Sequence, residues 1–202
     1  MRMTPPVPSR CRQPAFSLIE ALIALSITSL AGAVLLLSVQ SSLDTTIDAV
    51  EQTIADGIAQ QTIDEILTKR YAGETEDPLA TILGPLTSEA LSLGRSLFDD
   101  ADDYAGYVSQ PLKGTFGELL GTGDDSGNLR LANFRVRSDF FKNWRVRTLV
   151  YYVHPSDHTV TSNTPTNFRA IEVYIERVAP DGRVTPLATR KRIVTHIAPP
   201  TT

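Results

Sequence analysis

The chain has 202 residues, of which 42% are hydrophobic and 21% charged, a composition that fits one ordinary domain or one domain with an appended segment. This composition excludes a wholly disordered chain and a collagen-like repeat, and the single cysteine, Cys11, excludes an intrachain disulfide and a cysteine-based zinc site. The net charge of −4 conceals a segregation, since residues 44–127 hold 17 acidic and 4 basic side chains, whereas residues 128–202 hold 12 basic and 5 acidic ones.

A long apolar stretch follows a short basic leader. Residues 1–15 contain three arginines and no acid, and residues 16–43 contain a single charged side chain, that of Glu20. A helix of about 20 apolar residues crosses a bilayer, so this stretch predicts a membrane-spanning helix. The basic flank is expected to stay in the cytoplasm, which places the rest of the chain outside it.

Two familiar interpretations of this stretch leave something unexplained. A cleaved signal peptide would be cut after Ala33, where small residues precede the bond, but the mature chain would then begin with the apolar run that starts at Val34. A plain signal anchor explains the hydropathy. It gives no role to Glu20, although an acid within a spanning helix is unfavourable.

A third interpretation starts from the segment Ala15-Phe16-Ser17-Leu18-Ile19-Glu20, which resembles the prepilin processing motif of type IV pilins and type II secretion pseudopilins. The resemblance implies that a membrane peptidase cuts between Ala15 and Phe16 and then N-methylates Phe16. Alanine before the cut departs from the family's commonest residue, glycine, but has the next smallest side chain.

The same resemblance gives Glu20 a role in assembly. An isolated charge in an apolar environment is unfavourable, so Glu20 of one subunit is expected to pair with the Phe16 amine of a neighbouring subunit in a filament. In the alternative interpretation, Glu20 only reaches towards the lipid headgroups.

The helix is predicted to continue beyond the apolar stretch. No proline occurs between Pro14 and Pro78, and apolar residues recur among acids at three- and four-residue steps, which is typical of an amphipathic helix. These apolar residues are Ile47, Val50, Ile54, Ile58, Ile66 and Leu67. One helix is therefore predicted, with a membrane or filament-core half over residues 16–43 and an amphipathic half over residues 44–70.

An irregular acidic connecting region is predicted over residues 71–127. Within it, Asp77-Pro78 predicts a turn of helix, and Thr87 is expected to cap a short helix over residues 86–97.

From residue 128 to residue 198 the hydrophobic period changes to two, which predicts an antiparallel sheet, and residues 199–202 form a tail. The expected strands lie within residues 131–137, 145–154, 171–176 and 184–197, and a turn at residues 179–182 joins the last two.

The predicted fold is α+β and pilin-like, with the long N-terminal helix packed on a C-terminal antiparallel β-sheet. The apolar face of such a sheet needs a cover, which the stripe over residues 47–67 is expected to supply.

Four carboxylates within five residues form a candidate metal site: Asp99, Asp100, Asp102 and Asp103. Ca²⁺ takes six to eight oxygen ligands, and certain minor pseudopilins bind it, but the spacing is not that of an EF-hand. The alternatives are helix capping within a solvated acidic turn, which we favour, and contact with a basic partner. No other cofactor is expected.

Arginines recur in period-two pairs in the basic C-terminal part, and the candidates for nucleic-acid contact are Arg135, Arg137, Arg145 and Arg147. A basic stripe suits phosphates. The alternative, which we favour, is a solvated strand face or one that docks on the acidic middle of the chain or on a neighbour. The pair His154 and His158 is separated by Pro155, which argues against a helical metal site.

The sequence contains no nucleophile elbow, P-loop, dinucleotide fingerprint or zinc-protease motif, so we do not expect an enzyme. The resemblance implies a structural minor pilin or pseudopilin subunit in a type IV pilus or a type II secretion-like filament. Its expected partners are other pilin-like subunits, a prepilin peptidase and methyltransferase, and an inner-membrane assembly platform. Before assembly it would be a single-pass inner-membrane protein with its C-terminal domain outside the cytoplasm, and afterwards part of a periplasmic or extracellular filament. The alternative is a signal-anchored extracytoplasmic binding domain that never polymerises.

Overall fold

The computed structural model describes residues 17–74, 76–91, 94–124, 126–137 and 139–197. Two units are present, one ending at Asp48 and the other beginning at Ala49. Helix α1, Leu18–Leu67, supplies all the helix of the first unit and the first element of the second. The prediction of one uninterrupted helix is confirmed over this range, as expected from the absence of proline.

In the first unit the structure describes residues 17–48, which form a single helix preceded by its N-terminal cap residue, Ser17. Every one of these residues is exposed apart from Gly32, which is half-buried. The unit therefore has no core of its own in the described part of the chain.

The second unit is built on an antiparallel sheet with strand order β1-β2-β4-β5, in which β3 pairs with the end of β2. The strands are β1 (Val108–Ser109), β2 (Trp144–His154), β3 (Asp157–Thr161), β4 (Phe168–Val178) and β5 (Val184–Thr195). The predicted strands over residues 145–154, 171–176 and 184–197 correspond to β2, β4 and β5 and are confirmed. The turn at residues 179–182 is confirmed too, and Gly182 supplies the positive φ of 84° that it needs.

The core of the second unit lies between α1 and one face of the sheet. The helix contributes Ala55, Ala59, Ile63 and Ile66, and the sheet contributes Val146, Val150, Ile171, Val173 and Ile175. The fold is therefore α+β, as predicted. The predicted covering stripe is partly wrong, because Ile47, Val50 and Leu67 are exposed. Ile66 of the stripe lies in the core, and Ile54 and Ile58 pack against it.

The strand predicted over residues 131–137 is wrong. Residues Ala132–Phe134 form a 3-10 helix, and the backbone around it bonds elsewhere: the Val136 N–H donates to the Gly121 carbonyl over 3.0 Å. An alternating pattern predicts a strand only where a neighbouring strand can satisfy its backbone, and here loop carbonyls do so instead.

Helix α2 is shorter than predicted, spanning Thr87–Ala90, and Thr87 is not its cap. Leu86 holds the cap position, and the Glu89 carboxylate accepts the Leu86 N–H over 2.8 Å. The predicted helical turn at Asp77 is a non-helical turn, in which the Asp77 carboxylate accepts the Leu79 N–H over 2.9 Å.

Candidate functional site

The most unusual surface of the protein is the apolar part of α1. Its large apolar side chains between Leu18 and Leu43 are 54–80% exposed. Within the described part of the chain, α1 is the one helix long and apolar enough to cross a membrane, a property that a signal sequence near an N-terminus shares. An apolar surface of this size calls for lipid or for other protein around it.

Two hydroxyl side chains within this stretch bond to the helix itself. The Ser26 hydroxyl donates to the Leu22 carbonyl and the Thr28 hydroxyl to the Ala24 carbonyl, each over 2.8 Å. In lipid an unsatisfied polar group is costly, so these local bonds make the stretch compatible with a bilayer.

Glu20 lies in the first turn of α1, where the structure adds a local reason for an acid. The Ser17 side-chain oxygen accepts the Glu20 N–H over 3.3 Å, and Ser17 and Glu20 have the spacing of a helix capping box. A negative charge is also favoured at a helix N-terminus. The Glu20 carboxylate forms no hydrogen bond or ion pair with any residue that the structure describes, so its charge is left for another partner. Ala15 and Phe16, the predicted processing residues, lie outside the described residues.

The acidic cluster is a buried network, not a solvated turn. Asp100, Asp102 and Asp103 are each at most 3% exposed, so the expectation of solvation is wrong for them. Asp103 Oδ2 accepts the backbone N–H groups of Asp99 and Asp100, at 2.9 and 3.3 Å. Asp100 Oδ1 accepts those of Asp102 and Asp103, at 2.9 and 3.1 Å. The capping part of the prediction fits these bonds, because they hold the 3-10 helix Asp102–Tyr104 in place.

A basic partner for this cluster comes from β4 of the same chain. Arg169 is fully buried and lies 2.8 Å from Asp102 Oδ1. Its guanidinium also donates to the carbonyls of Tyr71 and Pro78, at 2.5 and 2.9 Å, and lies over the Tyr71 ring. One cation thus ties the connecting region to the sheet.

Burial dominates the titration of the cluster. It raises the pKa of Asp102 to about 7 despite the lowering effect of Arg169, and the nearby charge of Asp100 acts in the same direction as burial. Burial also raises the pKa of Asp103 to about 7, against the backbone hydrogen bonds it accepts. Several carboxylates share one buried cation here, so protonation of some of them relieves their repulsion.

Two groups of carboxylates bring their oxygens within 4.8 Å of one another: Glu76 with Asp100 and Asp102, and Glu89 with Asp99 and Asp103. Backbone N–H groups account for the burial of Asp100, and backbone N–H groups, Arg169 and a raised proton affinity account for that of Asp102 and Asp103. Calcium binding therefore stays a prediction of the sequence.

Of the arginines singled out for nucleic-acid contact, Arg145 and Arg147 lie on β2 and both contact Glu176 on β4, at 2.6 and 3.4 Å. Arg137 pairs with Asp139 at 2.7 Å, and Arg135 donates to the Arg130 carbonyl. Arg135 and Arg137 are not on a strand, so the sheet face predicted for this pair by its period of two is wrong. The contacts of Arg145 and Arg147 favour docking within the chain over a stripe offered to phosphates.

Basic residues of the C-terminal half also neutralise acids of the middle region. Arg177 pairs with Glu51 at 2.6 Å and Arg190 with Asp56 at 3.3 Å. This arrangement fits the alternative in which the basic part docks on the chain's own acidic middle.

Sequence reasoning missed two ion pairs of buried arginines, Arg169 with Asp102 and Arg95 with Glu65. Arg169 lies two residues before Ile171 on the same strand, so its side chain points to the same buried face as those of Ile171 and Val173. This alternation is the signal that could have identified it. In the second pair, Arg95 donates to Glu65 through Nε and Nη2 over 2.9 and 2.8 Å. Burial raises the pKa of Glu65, but the hydrogen bonds and charge of Arg95 outweigh it and hold the pKa below its ordinary value.

His154 and His158 flank the short turn between β2 and β3. The His154 ring contacts the Ser156 hydroxyl at 2.8 Å, and the His158 ring packs on Phe168 with centroids 4.8 Å apart.

Compared with protein-family models, with curated proteins and with solved structures, the chain shows no significant match to any of them.

Proposed function

We propose that this chain is a structural subunit of the pilin or pseudopilin type, of the minor class. It would be processed between Ala15 and Phe16 and assembled into a type IV pilus or a type II secretion-like filament. Its work is architectural: α1 holds the subunit in the membrane and then packs among neighbouring helices, while the C-terminal unit decorates the filament. Its partners would be other pilin-like subunits, the processing peptidase and an inner-membrane assembly platform.

One observation carries this proposal. The apolar part of α1 is exposed on all sides, yet it holds a single carboxylate, Glu20, that has no hydrogen-bond or ion-pair partner among the described residues. A plain anchor needs the apolar surface, and an acid at this position serves it only through the helix N-terminus. A processed subunit needs both, because cutting before Phe16 creates an amine close to Glu20 in sequence that requires a counter-charge in an apolar filament core.

The rival function is a signal-anchored extracytoplasmic binding domain that does not polymerise. The exposed helix and its satisfied hydroxyls suit an anchor equally well. Intact-mass measurement of the protein extracted from membranes separates the two functions. We expect a mature chain that begins at Phe16 and carries one added methyl group. A chain that retains its leader, or one that begins at Val34, would overturn the proposal.

Glu20 variants test the assembly step separately from membrane insertion. We expect Glu20→Gln and Glu20→Ala to insert into the membrane normally but to be lost from sheared filaments. Ser17→Ala is the matched control, since it removes the helix cap while keeping the carboxylate. Normal filament incorporation of both Glu20 variants, or an equal loss with Ser17→Ala, would contradict a pairing role for Glu20.

A further inference from the structure

A loop surface in the second unit exposes apolar side chains beside arginines. We call it the basic loop patch and define it by Leu129, Leu131, Phe134 and Arg135. The three apolar side chains are 60%, 75% and 73% exposed. Exposed apolar clusters rimmed by polar residues are typical of interaction sites.

The patch is one local structure and not a set of scattered residues. The Phe134 N–H donates to the Leu131 carbonyl over 2.9 Å, which closes the 3-10 turn. Leu129 is bridged to Gly123, and Arg135 Nε donates to the Arg130 carbonyl over 2.5 Å. Residues 128–137 contain three arginines and no acid, so the patch is basic as well as apolar.

The first unit carries a surface of opposite charge. We call it the acidic stripe and define it by Leu43, Asp44, Ile47 and Asp48. Leu43 and Ile47 are 59% and 57% exposed and lie one helical turn apart, with the two aspartates beside them at the same spacing. Like charges four residues apart on a helix repel, so a cation at this stripe would be stabilising.

The acids that follow along the helix are treated differently. Glu51, Asp56 and Glu65 each have an arginine of the same chain, namely Arg177, Arg190 and Arg95. Asp44 and Asp48 form no ion pair with any residue that the structure describes. From Glu51 onward the chain's own arginines neutralise three of the four acids of α1, whereas Asp64 accepts a hydrogen bond from Gln60 and the acidic stripe is left open.

We propose that the acidic stripe of one copy of this chain docks on the basic loop patch of a second copy. The pairing matches aspartates with Arg135 and covers Leu43 and Ile47 with Leu131 and Phe134. The two surfaces differ, so each copy offers one of each and the contact is head-to-tail. Such contacts propagate into an open helical array unless the rotation closes a ring.

This inference rests on the proposed function, because it takes the second copy to be a neighbour in the membrane or along a filament. It goes further by assigning the contact to particular residues outside the apolar part of α1.

Cysteine crosslinking in membranes of cells that express the full chain tests the contact. The native Cys11 is first replaced by serine, and two differently tagged chains are co-expressed, one with Ile47→Cys and the other with Phe134→Cys. A disulfide needs Cα atoms within about 7 Å, so oxidation should trap a dimer that carries both tags. The matched control replaces Phe134→Cys with Val160→Cys, an apolar position on β3 that is 50% exposed.

We expect the dimer with Phe134→Cys and none above background with Val160→Cys. Equal yields for the two, or no dimer in either, would overturn the proposal. A chain that carries both substitutions and closes its disulfide within the monomer would also overturn it, because the occupant would then be the chain's own helix.

Charge reversal tests the electrostatic part in the same assay. Arg135→Glu in the Phe134→Cys chain should lower the dimer yield about fivefold, as expected for a loss of about 1 kcal/mol. Asp48→Arg in the Ile47→Cys chain should do the same, and the two reversals together should restore the yield. Arg183→Glu is the control for a change of charge at an exposed turn. Unchanged yields with Arg135→Glu, or no recovery in the combined variant, would overturn the charge pairing.

Gel electrophoresis of the crosslinked samples also tests the docking proposal and the proposed pilin-type function separately. Removal of 15 residues shifts the band of every species, so processing and crosslinking are read independently. A dimer formed by uncut chains would support the docking and contradict the pilin-type function, whereas cut chains without the dimer would do the reverse.

Discussion

Two parts of helix α1 are rich in apolar residues but differ in what surrounds them. Up to Asp48 every described residue except Gly32 is exposed, whereas Ala55, Ala59, Ile63 and Ile66 are fully buried against the sheet. In the second part the apolar residues keep to one face. From Leu18 to Leu43 the first part is predominantly apolar all round, as in a helix that is surrounded on every side, and only its end carries the acidic stripe. Within its own unit, the described residues offer this part no cover.

The two units also treat charge in opposite ways. The first unit exposes its apolar surface and holds few charges, while the second unit buries Arg169 and three aspartates. A buried charge is tolerated only with a well-placed partner, and here each partner comes from the same chain. The second unit thus supplies partners for its buried aspartates from its own residues, whereas the first unit leaves its apolar surface exposed.

The largest effect is expected from Arg169→Met. This change leaves Asp102 buried without its cation and removes the link between β4 and the connecting region. Breaking a buried ion pair by removing one partner destabilises a protein by about 3–5 kcal/mol. Denaturant unfolding of the full chain in detergent, followed by the fluorescence of buried Trp144, measures the loss.

Arg183→Met is the control for the loss of an arginine from an exposed turn. Its free energy of unfolding should stay within about 0.5 kcal/mol of the original. A loss below about 1 kcal/mol for Arg169→Met would show that the second unit does not depend on this cation.

The next largest effect on the free energy of unfolding is expected at one of two isoleucines of α1, of which one is buried and one exposed. Ile63→Ala removes a fully buried side chain from the core and should lower the free energy of unfolding by about 2–4 kcal/mol. Ile47→Ala changes a side chain that is 57% exposed and should leave the unfolding of the second unit unchanged. The same Trp144 signal reports both variants. Similar losses would mean that the two parts of α1 share one core after all.

The backbone framework was largely predictable because its signals are local. The absence of proline and the apolar run predict α1, and alternation with a closing turn predicts β2, β4 and β5. The segment over residues 131–137 has the same alternation, but alternation does not reveal whether a neighbouring strand is present to bond it. Its exposed apolar residues form the basic loop patch instead.

The charged sites were less predictable because they join distant residues. Asp102 and Arg169 are 67 residues apart, and their contact depends on how the connecting region folds onto the sheet. Local acid density therefore suggested a solvated turn where the structure has a buried network. The processing residues Ala15 and Phe16 depend on the resemblance alone.

The smallest effect concerns pH. Asp102 and Asp103 have pKa values near 7 in the folded chain, above the ordinary 3.8 of an aspartate. The folded state therefore holds protons that the unfolded state releases. The stability gained is fully present below the ordinary pKa and is lost as the pH rises through about 7. Moving from about pH 5.5 to about pH 8 should lower the free energy of unfolding by on the order of 1 kcal/mol, or about 2–4 °C in melting temperature.

Glu65 does not change the stability over this pH range. Its pKa is lowered in the folded chain, so the stability that it contributes is lost only as the pH falls below the ordinary value of 4.5. Asp103→Asn supplies the control, since an amide oxygen can still accept the N–H groups of Asp99 and Asp100 but cannot titrate. The variant should show a flatter dependence of melting temperature on pH than the original chain. If the original chain instead became more stable from about pH 5.5 to about pH 8, Asp102 and Asp103 would be ionised in the folded state across this range. Arg169 would then neutralise more negative charge than its single ion pair with Asp102 implies.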